Sequence, residues 1–183
     1  MQITSLGAGV FTIPHFLSAH ECAHYIQLGE QMGYELSEVN LLTGSQLRPD
    51  IRNNARVIFD DPTLAATLFE RARALLPQQC SGWELAGLNE RWRFYRYAPG
   101  EYFKWHKDGC FQRSEREESM LTLLIYLNHD FVGGETQFKW ESVKPETGLA
   151  LVFPHRMLHQ GAEIQSGSKY VLRTDVMYRL ADG

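Results

Sequence analysis

The sequence lacks most of what would mark a disulfide scaffold, a membrane protein or a nucleic-acid binder. It has three cysteines, Cys22, Cys80 and Cys110, an odd number with no C-x-x-C pair, which argues against a disulfide framework. A reducing, cytoplasmic setting is the corresponding expectation. Cys110, two residues beyond Asp108, reads as a small residue rather than a participant in chemistry. Residues 1–16 have neither a basic start nor a long apolar run, so neither a signal peptide nor a membrane span is expected there. Positive charge is not in excess: 18 Lys and Arg face 22 Asp and Glu, a net charge of −4. That balance disfavours nucleic acid as a partner and a nucleic-acid dealkylase as a function. There is no repeat, no low-complexity tract and no Gly/Ser/Pro-rich linker, so the 183 residues read as one domain. What the chain does have is 44% apolar and 12% aromatic residues, enough for a substantial β-rich core.

The pattern divides the chain into a helical support region over 1–87 and a strand-rich core over 88–180. Gly9 to Ile13 reads as a short strand ending at Pro14. Ser18 with Glu21 forms a capping box for a helix whose stripe is Cys22, Tyr25, Ile26 and Met32, with Gly33 as its stop. His20 and His24 share a face of that helix but have no third ligand nearby and read as surface residues. Residues 36–50 read as a polar loop, a candidate lid, and Ile51 to Phe59 as a strand. Asp61-Pro62 opens a second helix with Leu64, Leu68, Ala72 and Leu75 inward and Pro77 as its end. Strands follow over Glu90 to Ala98, Tyr102 to His106, Met120 to Asn128, Thr136 to Trp140, Leu149 to Phe153 and Tyr170 to Tyr178, with Gln112 to Glu118 a solvated loop. Helices followed by many strands with turn signals indicate an α+β domain whose β part closes as a jelly roll, helices packed on one sheet.

The chemistry-bearing stretch is Trp105-His106-Lys107-Asp108-Gly109. Two residues apart on a strand, His106 and Asp108 point to one face. A second histidine from elsewhere would complete a 2-His-1-carboxylate triad, the set that holds Fe(II) on three sites and leaves three open. His159 is the candidate; His155, after Pro154, and His129, at a loop tip beside Asp130, compete. On the last strand Lys169, Val171, Arg173 and Asp175 share a face. Charges turned inward are costly unless they act, and the opposite parity, with Tyr170, Leu172, Thr174 and Val176 inward, is the bland alternative.

From about residue 88 onward the ordered set Tyr97-Ala98-Pro99-Gly100, His106-Lys107-Asp108, Tyr126-Leu127-Asn128, Gly133-Gly134-Glu135-Thr136, Gly148 to Phe153, His159 and Gly167-Ser168-Lys169-Tyr170 resembles the prolyl 4-hydroxylase-like branch of the Fe(II)/2-oxoglutarate dioxygenases. The resemblance implies a double-stranded β-helix with His106, Asp108 and His159 as the metal ligands. It also implies Lys169 as the partner of the 2-oxoglutarate C5 carboxylate, with Tyr126 and Tyr97 beside it. Arg173 and Asp175 depart from the usual small polar or bulky apolar residues, and Arg173 is a second candidate for the carboxylate. The implied cofactors are Fe(II), 2-oxoglutarate as co-substrate and O2, with ascorbate as an optional reductant. The implied reaction is oxidative decarboxylation coupled to C–H hydroxylation. Its substrate would be a peptidyl residue such as proline, the alternatives being a free amino acid or other small molecule, or a non-catalytic metal-binding jelly-roll module. Arg52 and Asn53, with Arg56 and the 36–50 loop, are candidates for a substrate lip, and Trp105 for the entrance. Oligomeric state is not legible.

Overall fold

The computed structural model describes residues 2–37, 39–41, 44–46, 48 and 50–181. Two strands, β1 (Thr4–Gly7) and β2 (Val10–Ile13), precede helix α1 (Ala19–Met32). Both halves of the capping box form: the Ser18 hydroxyl accepts from the Glu21 amide, and the Glu21 carboxylate accepts from the Ser18 amide. Gly33 ends the helix with φ of +80°, a conformation that costs glycine little. Of the expected apolar stripe, Cys22 is buried while Met32 is 44% exposed; Gly29 takes the buried place against Tyr34 and Phe94. His20 and His24 are exposed, as expected.

Within the expected loop at 36–50, Val39–Leu41 and Gly44–Gln46 pair as two short strands. Residues 38, 42, 43, 47 and 49 lie outside the described residues, so the lid expectation does too. The strand expected over Ile51 to Phe59 begins later, as β3 (Ala55–Asp60). Helix α2 (Pro62–Ala72) starts where Asp61 accepts from the Leu64 amide. It ends five residues before Pro77, and Leu76 rather than Leu75 is the buried residue beyond it. The two helices are tied by an Arg71–Glu21 ion pair of 2.7 Å, and the arginine draws the glutamate pKa down to about 2.

The remaining principal strands are β4 (Trp83–Leu88), β5 (Arg91–Tyr97), β6 (Phe103–His106), β7 (Glu117–Tyr126), β8 (Thr136–Phe138), β9 (Ser142–Val143), β10 (Ala150–Pro154), β11 (His159–Gly161) and β12 (Lys169–Arg179). The large antiparallel sheet runs β1-β2-β10-β7-β12-β5-β3, extended by Glu35–Leu36, with β4 also paired to β12. A smaller sheet, β6-β11-β8-β9, faces it. This is the two-sheet jelly roll with helices on one face. The N-terminal region is not purely helical support, since β1, β2 and β3 are strands of the large sheet. The expected solvated loop at 112–118 contains the strand Gln112–Ser114 and the start of β7, where the buried Glu117 pairs with Arg179 at 2.7 Å.

Strand parity divides the large sheet into two working faces. One face packs Leu121, Leu123, Ile125, Ala150, Val152, Leu172 and Val176 against the helices through Leu17, Leu64, Leu68 and Ala72. The other turns Tyr95, Tyr97, Tyr126, Leu151, Phe153 and Val171 toward the smaller sheet. Both faces of β12 are therefore covered. The bland alternative needed one of them to be wet.

Gly148 marks the tightest seam between N-terminal segment and sheet. Its carbonyl accepts from the Leu17 amide at 3.2 Å, its φ is +79°, and a Cβ there would run into the Leu17 carbonyl. Gly148→Ala is expected to cost about 2–4 kcal/mol in urea unfolding. Gly82→Ala, with φ of +82° but open space around it, is expected to cost about 1 kcal/mol, from backbone strain alone. Equal costs at the two sites would show that the Leu17 contact is not what constrains Gly148.

Candidate active site

The smaller sheet makes the site. β6 and β11 pair antiparallel with His106 directly opposite His159, so cross-strand pairing alone brings two imidazoles to one place. Their ring centroids are 4.2 Å apart. Each ring is turned by its own strand: His106 Nδ1 lies 2.7 Å from the Lys104 carbonyl and His159 Nδ1 lies 2.9 Å from the Met157 carbonyl. A carbonyl can only accept, so the proton sits on Nδ1 in both rings and both Nε2 lone pairs face inward. Phe103 stacks on His106 at 3.4 Å between centroids, and Phe153 meets His159 edge-on at 4.6 Å. Burial pushes the His159 pKa down to about 4, which keeps the ring neutral and able to donate its lone pair.

Asp108 reaches the same point by a different route from the one expected. β6 ends at His106, so strand parity does not place the carboxylate. Its backbone does: the Asp108 amide donates to the His155 carbonyl at 2.8 Å. The carboxylate then lies with Oδ1 3.6 Å from His106 Nε2 and Oδ2 3.9 Å from His159 Nε2. Oδ2 is held from behind by the Thr122 hydroxyl at 2.6 Å and Arg173 Nη2 at 3.1 Å, leaving Oδ1 the freer oxygen. Burial raises the cost of the charge, but the Arg173 guanidinium outweighs it and holds Asp108 well below the usual carboxylate range. One nitrogen from each histidine and one oxygen from Asp108 lie within 4.8 Å of one another. Two neutral imidazoles and one ionised carboxylate converging in this way are a donor set for a divalent first-row metal.

His155 is a turn residue after Pro154, but not a surface group. It is 3% exposed, with Nδ1 2.9 Å from the Thr122 hydroxyl and Nε2 2.8 Å from the Ser119 hydroxyl. Its ring backs the threonine that holds Asp108, and its carbonyl holds the Asp108 backbone. The sequence carries no sign of this; Thr122 could be read from its parity with Leu124 and Tyr126. His129 is exposed and contacts Thr147, as expected of a loop tip.

A cleft with a cavity volume of about 40 Å³ opens beside the triad and is lined on the large sheet by Tyr95, Tyr97, Leu124, Lys169, Val171 and Arg173. Lys169 is 3% exposed and lies between two rings, 5.3 Å from the centroids of both Tyr97 and Tyr126. Its ammonium donates to the Gly134 carbonyl at 2.6 Å and has no ion pair among the described residues. Burial pushes its pKa down to about 7. A buried cation without a counter-ion is costly, and the cleft beside it is where an anion can enter. Tyr126 donates to Thr136 at 2.7 Å, which fixes the ring against the lysine. Arg173, which also lines the cleft, is engaged with Asp108 and Asp175, with Nη2 3.3 Å from Asp175 Oδ1.

The residues expected at a substrate lip do not line this cleft. Arg52 is 5% exposed, its guanidinium 4.5 Å from the ring centroids of both Tyr95 and Phe103. Asn53 donates to the Gly100 carbonyl and accepts from the Tyr102 amide, which clamps the start of β6. Trp105, 37% exposed, carries Lys139 Nζ at 3.7 Å from its ring centroid and is not among the lining residues.

Residues 92–174 match the family model of the 2OG-Fe(II) oxygenase superfamily. A putative prolyl 4-hydroxylase of Acanthamoeba polyphaga mimivirus is 35% identical over 97 residues, 42% of this chain and 40% of that protein, so the match spans less than half the relative's length. Prolyl 4-hydroxylase 1 of Arabidopsis thaliana is 25% identical across 92% of this chain and 69% of its own. Among solved structures, a viral collagen prolyl hydroxylase from Paramecium Bursaria Chlorella virus-1, in complex with 2OG, superposes with a TM-score of 0.68 at 24% identity, covering 93% of this chain and 97% of that one. That likeness carries the jelly-roll fold. The family match falls on the strands that carry the His-x-Asp and distal His set, and the chain is similar to a prolyl 4-hydroxylase along most of its length.

Proposed function

We propose that the protein is an Fe(II)- and 2-oxoglutarate-dependent hydroxylase acting on a peptidyl residue such as proline. The observation that supports it best is the pairing of two features in one cleft: the inward-facing His106, Asp108 and His159 donors, and the uncompensated Lys169 ammonium on the facing sheet. In this reading the triad holds Fe(II), and Lys169 receives the far carboxylate of 2-oxoglutarate between the Tyr97 and Tyr126 rings. Arg173, already shared between Asp108 and Asp175, is the weaker candidate for that carboxylate. When bound, Fe(II) with 2-oxoglutarate and O2 supplies an oxidative decarboxylation that places one oxygen atom in a C–H bond and leaves succinate and carbon dioxide.

The chain's own part is to bind, orient and shield. The carbonyls of Lys104 and Met157 keep the imidazoles in the right tautomer, as outer partners of metal-bound histidines do. Thr122 and Arg173 keep Asp108 ionised and aimed. Phe103, Phe153, Leu124 and Val171 give the cleft dry walls, where charge–charge contacts are stronger than in water. The proline-directed reading draws on the names of the relatives, which are prolyl hydroxylases.

An anaerobic titration with Fe(II) and then 2-oxoglutarate is expected to give a visible metal-to-ligand charge-transfer band, and admission of O2 to give succinate. Proline-containing peptides should raise succinate yield above the substrate-free level; stimulation by free amino acids in their place would move the substrate to the small-molecule class. His159→Ala should abolish metal uptake, and normal turnover would mean that another histidine is the ligand.

Lys169→Met should raise the 2-oxoglutarate requirement about 100-fold while stabilising the metal-free protein by on the order of 2 kcal/mol, because an ill-matched buried charge is removed. Between about pH 7 and 10.5 the unfolded chain binds more protons at this lysine than the folded one. Stability of the metal-free protein should therefore rise with pH across that window, and the slope should flatten in Lys169→Met. Affinity for 2-oxoglutarate should fall as pH rises through about 7, since the ammonium must be charged to receive the carboxylate. A pH-independent affinity between pH 6.5 and 8.5 would remove Lys169 from that role.

A further inference from the structure

Arg173 and Asp175 are charged residues on an inward strand face, and the cleft shows what they are attached to. Arg173 Nη2 lies 3.1 Å from Asp108 Oδ2 and 3.3 Å from Asp175 Oδ1, and Nη1 lies 3.4 Å from the Tyr95 hydroxyl. Asp175, 1% exposed, is held in turn by Arg93 Nη1 at 3.3 Å from its other oxygen. Strand register builds this row: Thr122 lies opposite Asp175, Leu124 opposite Arg173, and Arg173 opposite Arg93. Two arginines and two aspartates then alternate from the sheet to the triad. The guanidinium nearest the triad is fixed from behind by one carboxylate and from in front by the other.

We propose that Arg173 is a positioning residue that sets both the binding mode and the charge of the metal centre, an inference that rests on the hydroxylase reading above. With Thr122 it occupies Asp108 Oδ2, so that Asp108 offers a metal one oxygen, Oδ1. Its charge also cancels that of the carboxylate, so a divalent ion held there keeps its full double charge toward the open side of the site. The consequence has two opposite signs. The arginine makes the metal harder to bind, because like charges repel, and makes a dianionic co-substrate easier to bind, because more positive charge faces it. Asp175 works against Arg173 by drawing its charge away from the triad.

The test uses the metal-free full chain, Co(II) as a redox-inert probe with a visible spectrum, and 2-oxoglutarate added to the Co(II)-loaded protein. Arg173→Met is expected to bind Co(II) about tenfold more tightly and 2-oxoglutarate about tenfold more weakly than the unaltered protein. Its Co(II) spectrum should change as the second carboxylate oxygen becomes available. Arg173→Lys, which keeps the charge, should remain within about threefold on both affinities. Asp175→Asn should show the mirror image, weaker Co(II) and tighter 2-oxoglutarate binding, and it serves as the reading should Arg173→Met not fold by circular dichroism. A merely structural arginine would weaken both ligands together. Parallel losses, or no change in either affinity, would overturn the inference while leaving the hydroxylase reading intact. If the unaltered protein takes up neither Co(II) nor 2-oxoglutarate, the hydroxylase reading falls, and this inference with it.

Discussion

A carboxylate sealed inside a protein keeps its charge only if something opposite is sealed in with it, and the inner face of the jelly roll is arranged around that requirement at Asp108. Arg173 answers Asp108, Asp175 answers Arg173, and Arg93 answers Asp175. Four side chains on two adjacent strands of the large sheet and one loop thereby become a single electrostatic unit. Thr122 and His155 complete it with hydroxyl and ring contacts that leave Asp108 few alternatives of orientation. Such a row is a poor source of stability, because the desolvation it demands consumes most of what the pairing returns. Its effect is to fix the Asp108 carboxylate in one orientation beside His106 and His159.

Stability comes from the other side of the same strands. Leu121, Leu123 and Ile125 alternate with Thr122, Leu124 and Tyr126, and Leu172 and Val176 alternate with Val171, Arg173 and Asp175. The apolar members close against Leu64, Leu68 and Ala72 of α2 and the neighbouring Leu17, where burial of aliphatic area is the dominant favourable contribution. The two-residue period of a strand lets one segment serve both purposes. The helices, far from the chemistry, allow the inner face to carry an unpaired lysine and a charged row without unfolding the sheet.

The histidines depend on a different device. They come from strands that pair only over a few residues, with a register irregularity between Phe103 and His106, so the pairing alone is not rigid. Ring stacking by Phe103 on one, an edge contact from Phe153 on the other, and a carbonyl behind each Nδ1 supply the missing constraint. Arg52 extends this column, lying between the Phe103 and Tyr95 rings. The polar segment before β3 is thus tied to two rings that line the cleft.

Local chemistry in the sequence determined the capping box at Ser18 and the helix start at Asp61, the apolar strands around Leu123 and Val152, and the identity of His106, Asp108 and His159 as candidates through an ordered motif set. These are legible because each depends on near neighbours or on a spacing that few other functions require. The inward parity of Lys169 and Arg173 was legible only with the motif's help, since hydropathy alone would turn those charges to water; the helices covering the outer face of β12 are what reverse it. Tertiary structure alone decided that His155 is buried behind Thr122, that Asp108 is placed by the His155 carbonyl, 47 residues further along the chain, rather than by strand parity, that Arg52 is enclosed, and that Arg173 meets Asp108 rather than standing free. Each of these is a contact between residues far apart in the chain, set by sheet register and by which face another layer covers, and no window of sequence contains both partners.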